Sequence, residues 1–222
     1  MLLLAVDTAT PAVTAALHDG TSVVAETTQV DARRHGELLL PLIDTTLREA
    51  GLKLDAVTGV VVGVGPGPYT GLRVGLATAE TFGFALGVPV HGLCTLDALA
   101  YAAAEGRGGL EGPFAVATDA RRKEVYWARY DDARTRTTEP AVDRPAEIAE
   151  RLAGLPVVGA GARLYPEAFP DARGPEHVSA AALASLAAEK LAAGSDFLPP
   201  LPLYLRRPDA QVPKNYKVVT PK

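Results

Sequence analysis

Hydrophobic and polar residues alternate along this chain in short blocks, and the blocks change period. Leu2 to Val6 is an apolar run ending in Asp7. Pro11 to His18 and Ser22 to Thr28 read as two further strands, and Asp19-Gly20 between them carries the chemistry of a hairpin turn. The period then lengthens. Arg33 to Ala50 reads as a helix stopped by Gly51, with Leu39, Ile43 and Leu47 on one stripe and Leu38 and Leu42 beside it. Pro41 predicts a kink there. Val60 to Val64 is β-branched and too short for a helix, so it predicts a buried strand. Gly65-Pro66-Gly67-Pro68 breaks it, and Thr70 is placed to cap a helix from Gly71 to Leu86 with Gly87 as its stop. Val88 to Leu93 predicts a strand and Thr95 to Glu105 a helix.

The helix at 71–86 has an unusual composition. Gly71, Gly75, Ala79, Gly83 and Gly87 recur every four residues and line one face with almost no side chain. Each glycine inside a helix costs roughly 1 kcal/mol against alanine. The gain that offsets this is close approach by another element. Arg73 and Glu80 are the only charges on 71–86, so the helix is predicted to be covered on more than one side. The strand, glycine loop and helix start also resemble a phosphate cradle. Their order fits neither G-x-x-x-x-G-K-[ST] nor G-x-G-x-x-G, and Pro66 and Pro68 offer no N–H groups.

After Gly106-Arg107-Gly108-Gly109, which reads as a linker, the pattern restarts. Phe114 to Thr118 is apolar and ends in Asp119, as Leu2 to Val6 ends in Asp7. Glu124 to Tyr130 and Thr135 to Val142 read as strands, Pro145 to Leu152 as a helix with proline in its first turn, and Leu155 to Val158 as a strand. Ser179 to Ala193 is a helix capped by Ser179 and ended by Gly194. The order strand-strand-strand-helix-strand-helix therefore occurs twice. The expectation is an α/β protein of two duplicated lobes, each a mixed sheet flanked by helices. The boundaries are 1–106 for the first lobe, 107–200 for the second and 201–222 for a Pro-rich basic tail, which from about Leu205 is expected to be mobile or docked in extended form, not helical.

Composition narrows the function classes. The formal net charge is −4, which does not favour nucleic-acid binding by the whole surface. The tail differs, with Arg206, Arg207, Lys214, Lys217 and Lys222 against Asp209. No apolar stretch reaches the roughly eighteen residues of a membrane span. Cys94 is the single cysteine, so no internal disulfide forms, in keeping with a reducing cytoplasm. It precedes a helix start, where a thiolate is stabilised, but an inert core thiol is the plainer reading. His35 lies near Glu37, without a nucleophile tied to either. Arg121-Arg122-Lys123 reads as a solvated hairpin or as a basic contact for an acidic partner or for tRNA.

Duplicated lobes that each open with a strand running into Asp resemble the actin, hexokinase and Hsp70 superfamily. Its members place glycine after that Asp so that ATP phosphates can approach. Here the two sites read Asp7-Thr8-Ala9-Thr10 and Asp119-Ala120-Arg121-Arg122, and neither has the glycine. DTAT at 7–10, RRHGELLLPLI at 33–43, GPGPYTGLRVGLATA at 65–79, DARRKEVYWARY at 119–130 and PLYLR at 202–206 resemble the TsaB (YeaZ) family of bacterial tRNA threonylcarbamoyladenosine synthesis. The resemblance implies a cytoplasmic, non-catalytic subunit acting with TsaD, the catalytic paralogue, and TsaE, an ATPase. It implies contact with tRNA through that complex and self-pairing of the free chain. It implies no cofactor held by this chain alone, with ATP or ADP at a complex interface and Asp7 and Asp119 as degenerate phosphate-loop positions. TsaD builds its metal site on His-x-x-x-His. No two of His18, His35, His91 and His177 are four apart, and Leu93 and Asp97 stand in roughly that place. The partner surface is expected on the helices at 33–50 and 71–86, through Leu38, Leu42, Arg73, Val74, Ala77 and Thr78. The alternative is a stand-alone nucleotide-dependent, kinase-like enzyme of the same fold.

Overall fold

The computed structural model of the chain describes residues 1–106 and 109–206. Much of the linker expected at 106–109, and the tail from 207 onward, lie outside the described residues. The first lobe runs β1 (Leu3–Asp7), β2 (Ala12–His18), β3 (Val23–Val30), α1 (His35–Glu49), β4 (Gly59–Gly63), α2 (Tyr69–Leu86), β5 (Val90–Leu93) and α3 (Thr95–Glu105). The second runs β6 (Phe114–Asp119), β7 (Val125–Tyr130), β8 (Ala141–Asp143), α4 (Pro145–Ile148), β9 (Val157–Val158), α5 (Ala160–Leu164), β10 (Ala172–Arg173) and α6 (Ala180–Ala192).

The two five-stranded sheets have the same plan. Their orders are β3-β2-β1-β4-β5 and β8-β7-β6-β9-β10. In each, the first strand pairs antiparallel with the second and parallel with the fourth. The duplication is more complete than the hydrophobic pattern indicates, because α5 and β10 supply the helix and fifth strand that it misses. Both are too short to carry a period. Other boundaries also move. The strand expected at 135–142 shrinks to β8, because Asp132 draws the N–H groups of Arg134 and Thr135 into a turn and Pro140 has no N–H for a ladder. The helix expected at 145–152 is α4 followed by a 3-10 turn at Glu150–Leu152. Thr70 is not the cap of α2. The helix begins at Tyr69, after extended Pro68, and Thr70 sits inside its first turn. Gly87 ends it in the left-handed conformation, as its position predicts, and Ser179 caps α6 by accepting from the Ala182 N–H.

Strands of the central sheets are buried on both faces, so their sequences read as continuous apolar runs. Leu4, Val6, Val60 and Val62 meet Leu39, Leu42, Ile43, Leu72 and Leu76 from α1 and α2. The opposite face, with Leu3, Ala5 and Val61, shares one core with α3, α6, Phe114, Val116 and Tyr130. Trp127, Ile148 and Phe169 fill the outer side of the second sheet. The layers thus run α1/α2, sheet, α3/α6, sheet, α4/α5. The middle helices are exchanged: α6 packs on the first lobe's sheet and α3 on the second's. The boundary at 106 therefore separates the two sheets but not the two lobes' helices.

Candidate functional site: a closed phosphate loop and the outer face of the first lobe

Asp7, at the end of β1, is fully buried. Its Oδ1 accepts the Ala9 N–H at 2.7 Å and its Oδ2 accepts the Thr95 hydroxyl at 2.7 Å. Burial outweighs those two bonds and pushes the carboxyl up to about 6. Thr95 also accepts the Gly65 N–H at 3.2 Å, so Asp7 braces the Gly-Pro loop from behind. The next residue closes the loop from the front. Thr8 donates to the Gly71 carbonyl at 2.7 Å and accepts the Gly75 N–H at 3.0 Å. Glycine is required on both sides: a Cβ on Gly71 would lie 2.5 Å from the Thr8 carbonyl oxygen, and one on Gly75 2.6 Å from the Thr8 hydroxyl. Gly83 likewise faces Val90, where a Cβ would lie 2.2 Å away. The small stripe of α2 is thus turned inward, against its own lobe. The close neighbour that the stripe requires is Thr8 and β5.

Asp119 ends β6 as Asp7 ends β1, but it stays partly open. Its Oδ1 accepts the Arg121 N–H at 2.8 Å, and its Oδ2 lies 3.4 Å from the Arg121 guanidinium. Arg121, Arg122 and Lys123 all have φ near +60°, a left-handed run without a glycine. Between the lobes is a cleft of about 320 Å³, lined by Thr10, Arg33, His35, Thr70, Asp119 and Arg121. His35 opens α1, and its Nε2 lies 2.8 Å from the Thr10 carbonyl. It fixes the start of α1 against the Asp7 loop, and Glu37 is not its partner.

The candidate contact residues separate into two groups. Arg73 and Ala77 are exposed on α2, with Val74 and Thr78 half-buried beside them. Leu38 is half-buried. Leu42 is a correction: at 6% exposure it packs in the core, since it follows Leu39 by three residues and shares its face. Two outward apolar side chains were not anticipated. Phe84 is 91% exposed and Leu40 54%. The helical phase 73, 77, 81, 84 would have found Phe84. Tyr204, from the PLYLR block, also reaches this region, at Tyr69 and Arg73. At Leu93 and Asp97, Asp97 accepts the Tyr130 hydroxyl at 2.8 Å and pairs with Arg136 at 2.6 Å. A guanidinium, not a metal ligand, faces that carboxylate. Cys94 is buried, and its thiol is pushed up to about 12, which makes it a core side chain. Among the described residues no helix is long and apolar enough to cross a membrane.

The family model for TsaD, tRNA N6-adenosine threonylcarbamoyltransferase, matches residues 22–196. An uncharacterised protein of Mycobacterium tuberculosis is 46% identical over 214 residues, covering 94% of this chain and 93% of its own. The tRNA threonylcarbamoyladenosine biosynthesis protein TsaB of Escherichia coli is 33% identical over 177 residues, covering 75% of this chain and 74% of its own. Among solved structures, YeaZ from Pseudomonas aeruginosa superposes with a TM-score of 0.78 at 31% identity, covering 92% of this chain and 100% of its own. The ethanolamine utilization protein EutJ from Carboxydothermus hydrogenoformans shares the fold alone, with a TM-score of 0.50 at 15% identity over 84% of this chain and 89% of its own.

Proposed function

The chain belongs to the TsaB (YeaZ) family, and from that premise we propose that it is a non-catalytic subunit in the formation of threonylcarbamoyladenosine next to the anticodon of tRNA. It acts in the cytoplasm. Its direct partner is TsaD, the transferase whose family model it matches, and TsaE and tRNA join through the complex. ATP or ADP, where used, is held at an interface of that complex. When free, the chain covers the same face by pairing with itself.

The observation that carries this reading is how α2 spends its two faces. The inward face is consumed by Thr8 and Val90. The outward face carries Arg73, Ala77 and Phe84, with Leu40 exposed on neighbouring α1. Exposed apolar side chains on adjacent helices favour a surface that is covered in the cell. The Asp7 loop supports the non-catalytic half of the proposal. Its carboxyl group is committed to Thr95 and Ala9, and the neighbouring Thr8 hydroxyl to Gly71 and Gly75 of α2. The alternative, a kinase-like enzyme, draws on the interlobe cleft with Arg33 and Arg121.

Ala77→Glu tests the proposal. Ala77 faces solvent, so the variant is expected to keep a cooperative thermal transition. Co-purification with TsaD is expected to drop by at least about 100-fold, because an unpaired charge is desolvated at an interface. A folded variant that binds TsaD as the wild type does would overturn the assignment of this face. Steady ATP hydrolysis by the isolated wild-type chain, in proportion to its concentration, would favour the kinase-like reading instead.

A further inference from the structure

Residues 198–206 form a strap that ties the first lobe to the second. Leu198 and Gly92 exchange two backbone bonds of 3.0 and 3.1 Å. A Cβ on Gly92 would lie 2.7 Å from the carbonyl oxygens of Leu198 and Pro199, so that glycine is what lets the strap enter. The Leu203 N–H then donates to the Val64 carbonyl at 2.8 Å, at the end of β4. Arg206 reaches the second lobe, where it donates to the Ala120 carbonyl at 3.1 Å and pairs with the Glu124 carboxylate. Tyr204 is held between these anchors, over the start of α2. Its ring stacks on Tyr69 with centroids 5.1 Å apart, and its hydroxyl accepts Arg73 Nε–H at 3.2 Å. The Arg73 guanidinium lies 3.8 Å over the Tyr69 ring.

An exposed arginine normally loses rotamer freedom when a partner engages it, and that loss weakens binding. Here two tyrosines bear that ordering in advance. Among the described residues Arg73 has no carboxylate partner, and with Nε engaged by Tyr204 it is the Nη edge of the guanidinium that is left to meet one. Tyr69 and Tyr204 remain 47% and 40% exposed, so the strap extends the α2 face and does not cover it. Tyr and Arg side chains fixed on a surface are the composition of an interface hot spot.

We infer that Tyr204 is a positioning residue for partner recognition, holding Arg73 ready for a carboxylate on TsaD. This rests on the function proposed above and adds to it a contact from the far end of the chain. The test is titration of TsaD against the purified full-length chain and four variants: Tyr204→Ala, Tyr204→Phe, Arg73→Ala and the Arg73→Ala/Tyr204→Ala double. Tyr204→Ala is expected to weaken binding about tenfold, with unfolding unchanged, as is typical of a coupled surface pair. Tyr204→Phe keeps the stack and recovers most of that loss. In the Arg73→Ala background Tyr204→Ala adds nothing, an outcome that a purely structural role would not produce. Unchanged or tighter binding by Tyr204→Ala would overturn the inference, the second case meaning that the strap masks the face. Additive losses would overturn it too. If the wild type fails to bind TsaD, or Ala77→Glu binds normally, the proposed face falls as well. If Ala77→Glu fails to bind while Tyr204→Ala binds normally, only the role of Tyr204 falls.

Discussion

The two lobes share one strand order and treat the loop after their first strand in opposite ways. In the first lobe α2 is 18 residues long, and its glycines touch Thr8, one residue past Asp7. In the second lobe α5 is five residues long. Its Gly161 presses on the carbonyl of Ala117, two residues before Asp119. The helix contact is thus displaced by three residues between the lobes. One loop is closed over, and the other is left to form the left-handed basic turn. The local sequence accounts for the shorter helix. Tyr165 precedes Pro166, and a residue before proline is driven out of the helical region. A duplicated scaffold can therefore be turned from a symmetric cleft into one sealed lobe and one open lobe by glycine placement and a single helix stop.

The sharpest way to break this contrast is to fill the contact that seals the first lobe. Gly71→Val places a Cβ 2.5 Å from the Thr8 carbonyl oxygen, a backbone atom that cannot swing aside. It also strains the Thr8–Gly71 hydrogen bond. The expected cost is about 3–4 kcal/mol, read as a lower urea midpoint with an unchanged slope. A variant with wild-type stability would show that α2 does not close on the loop.

Asp7 supplies the next effect, and its sign follows from burial. The folded-state carboxyl is raised from its ordinary 3.8 to about 6, so the folded chain holds this proton where the unfolded chain has lost it. Its contribution is fully present below pH 4 and is lost as pH rises through about 6. The span is up to about 3 kcal/mol. Asp7→Asn keeps the shape without the charge. Its stability relative to wild type is therefore expected to climb between about pH 4 and pH 6 and level off above. Asp7→Ala strands the Ala9 N–H and the Thr95 hydroxyl and is expected to destabilise by about 1–3 kcal/mol. Urea titrations at several pH values measure both. A constant difference between Asp7→Asn and wild type across that range would mean that the carboxyl is not buried as a neutral acid. Asp119→Asn, in the open lobe, is expected to shift stability by less than about 0.5 kcal/mol.

Much of this asymmetry was legible in the sequence, though not its direction. The repeated apolar run ending in Asp located both loops, and the missing glycines marked them as altered. The four-residue glycine period fixed one small face on α2 but not which way that face points. Periodicity reports that a close neighbour exists; only the pairing of β1 with β4 makes that neighbour Thr8. The same limit misplaced Leu42, whose apolar character suits a core and an interface equally. It also hid Phe84, which reads as one more hydrophobe until the helix has a phase. The strap was beyond pattern reading for another reason. Its partners Gly92, Val64 and Glu124 are long-range in sequence, and an extended segment held by two backbone anchors and an ion pair has no period. The second lobe's α5 and β10 were lost because elements of five and two residues carry less signal than the turns around them.

The smallest expected effect probes the open loop. Arg121, Arg122 and Lys123 each hold a positive φ that side chains with a Cβ rarely adopt. Such a conformation costs of order 1 kcal/mol per residue. Lys123, with φ of 62°, is the cleanest residue to relieve. Lys123→Gly removes the Cβ clash in the folded state but gives the unfolded chain more freedom, and the two terms oppose each other. The net expectation is a gain of about 0.5 kcal/mol, seen as a small rise in the urea midpoint. Strain retained in an exposed basic turn needs a use. The same variant is therefore expected to lower tRNA modification by the reconstituted complex, despite its greater stability. A variant that is more stable and fully active would reduce the basic turn to an idle hairpin. A less stable one would mean that Lys123 makes a contact worth more than the strain it bears.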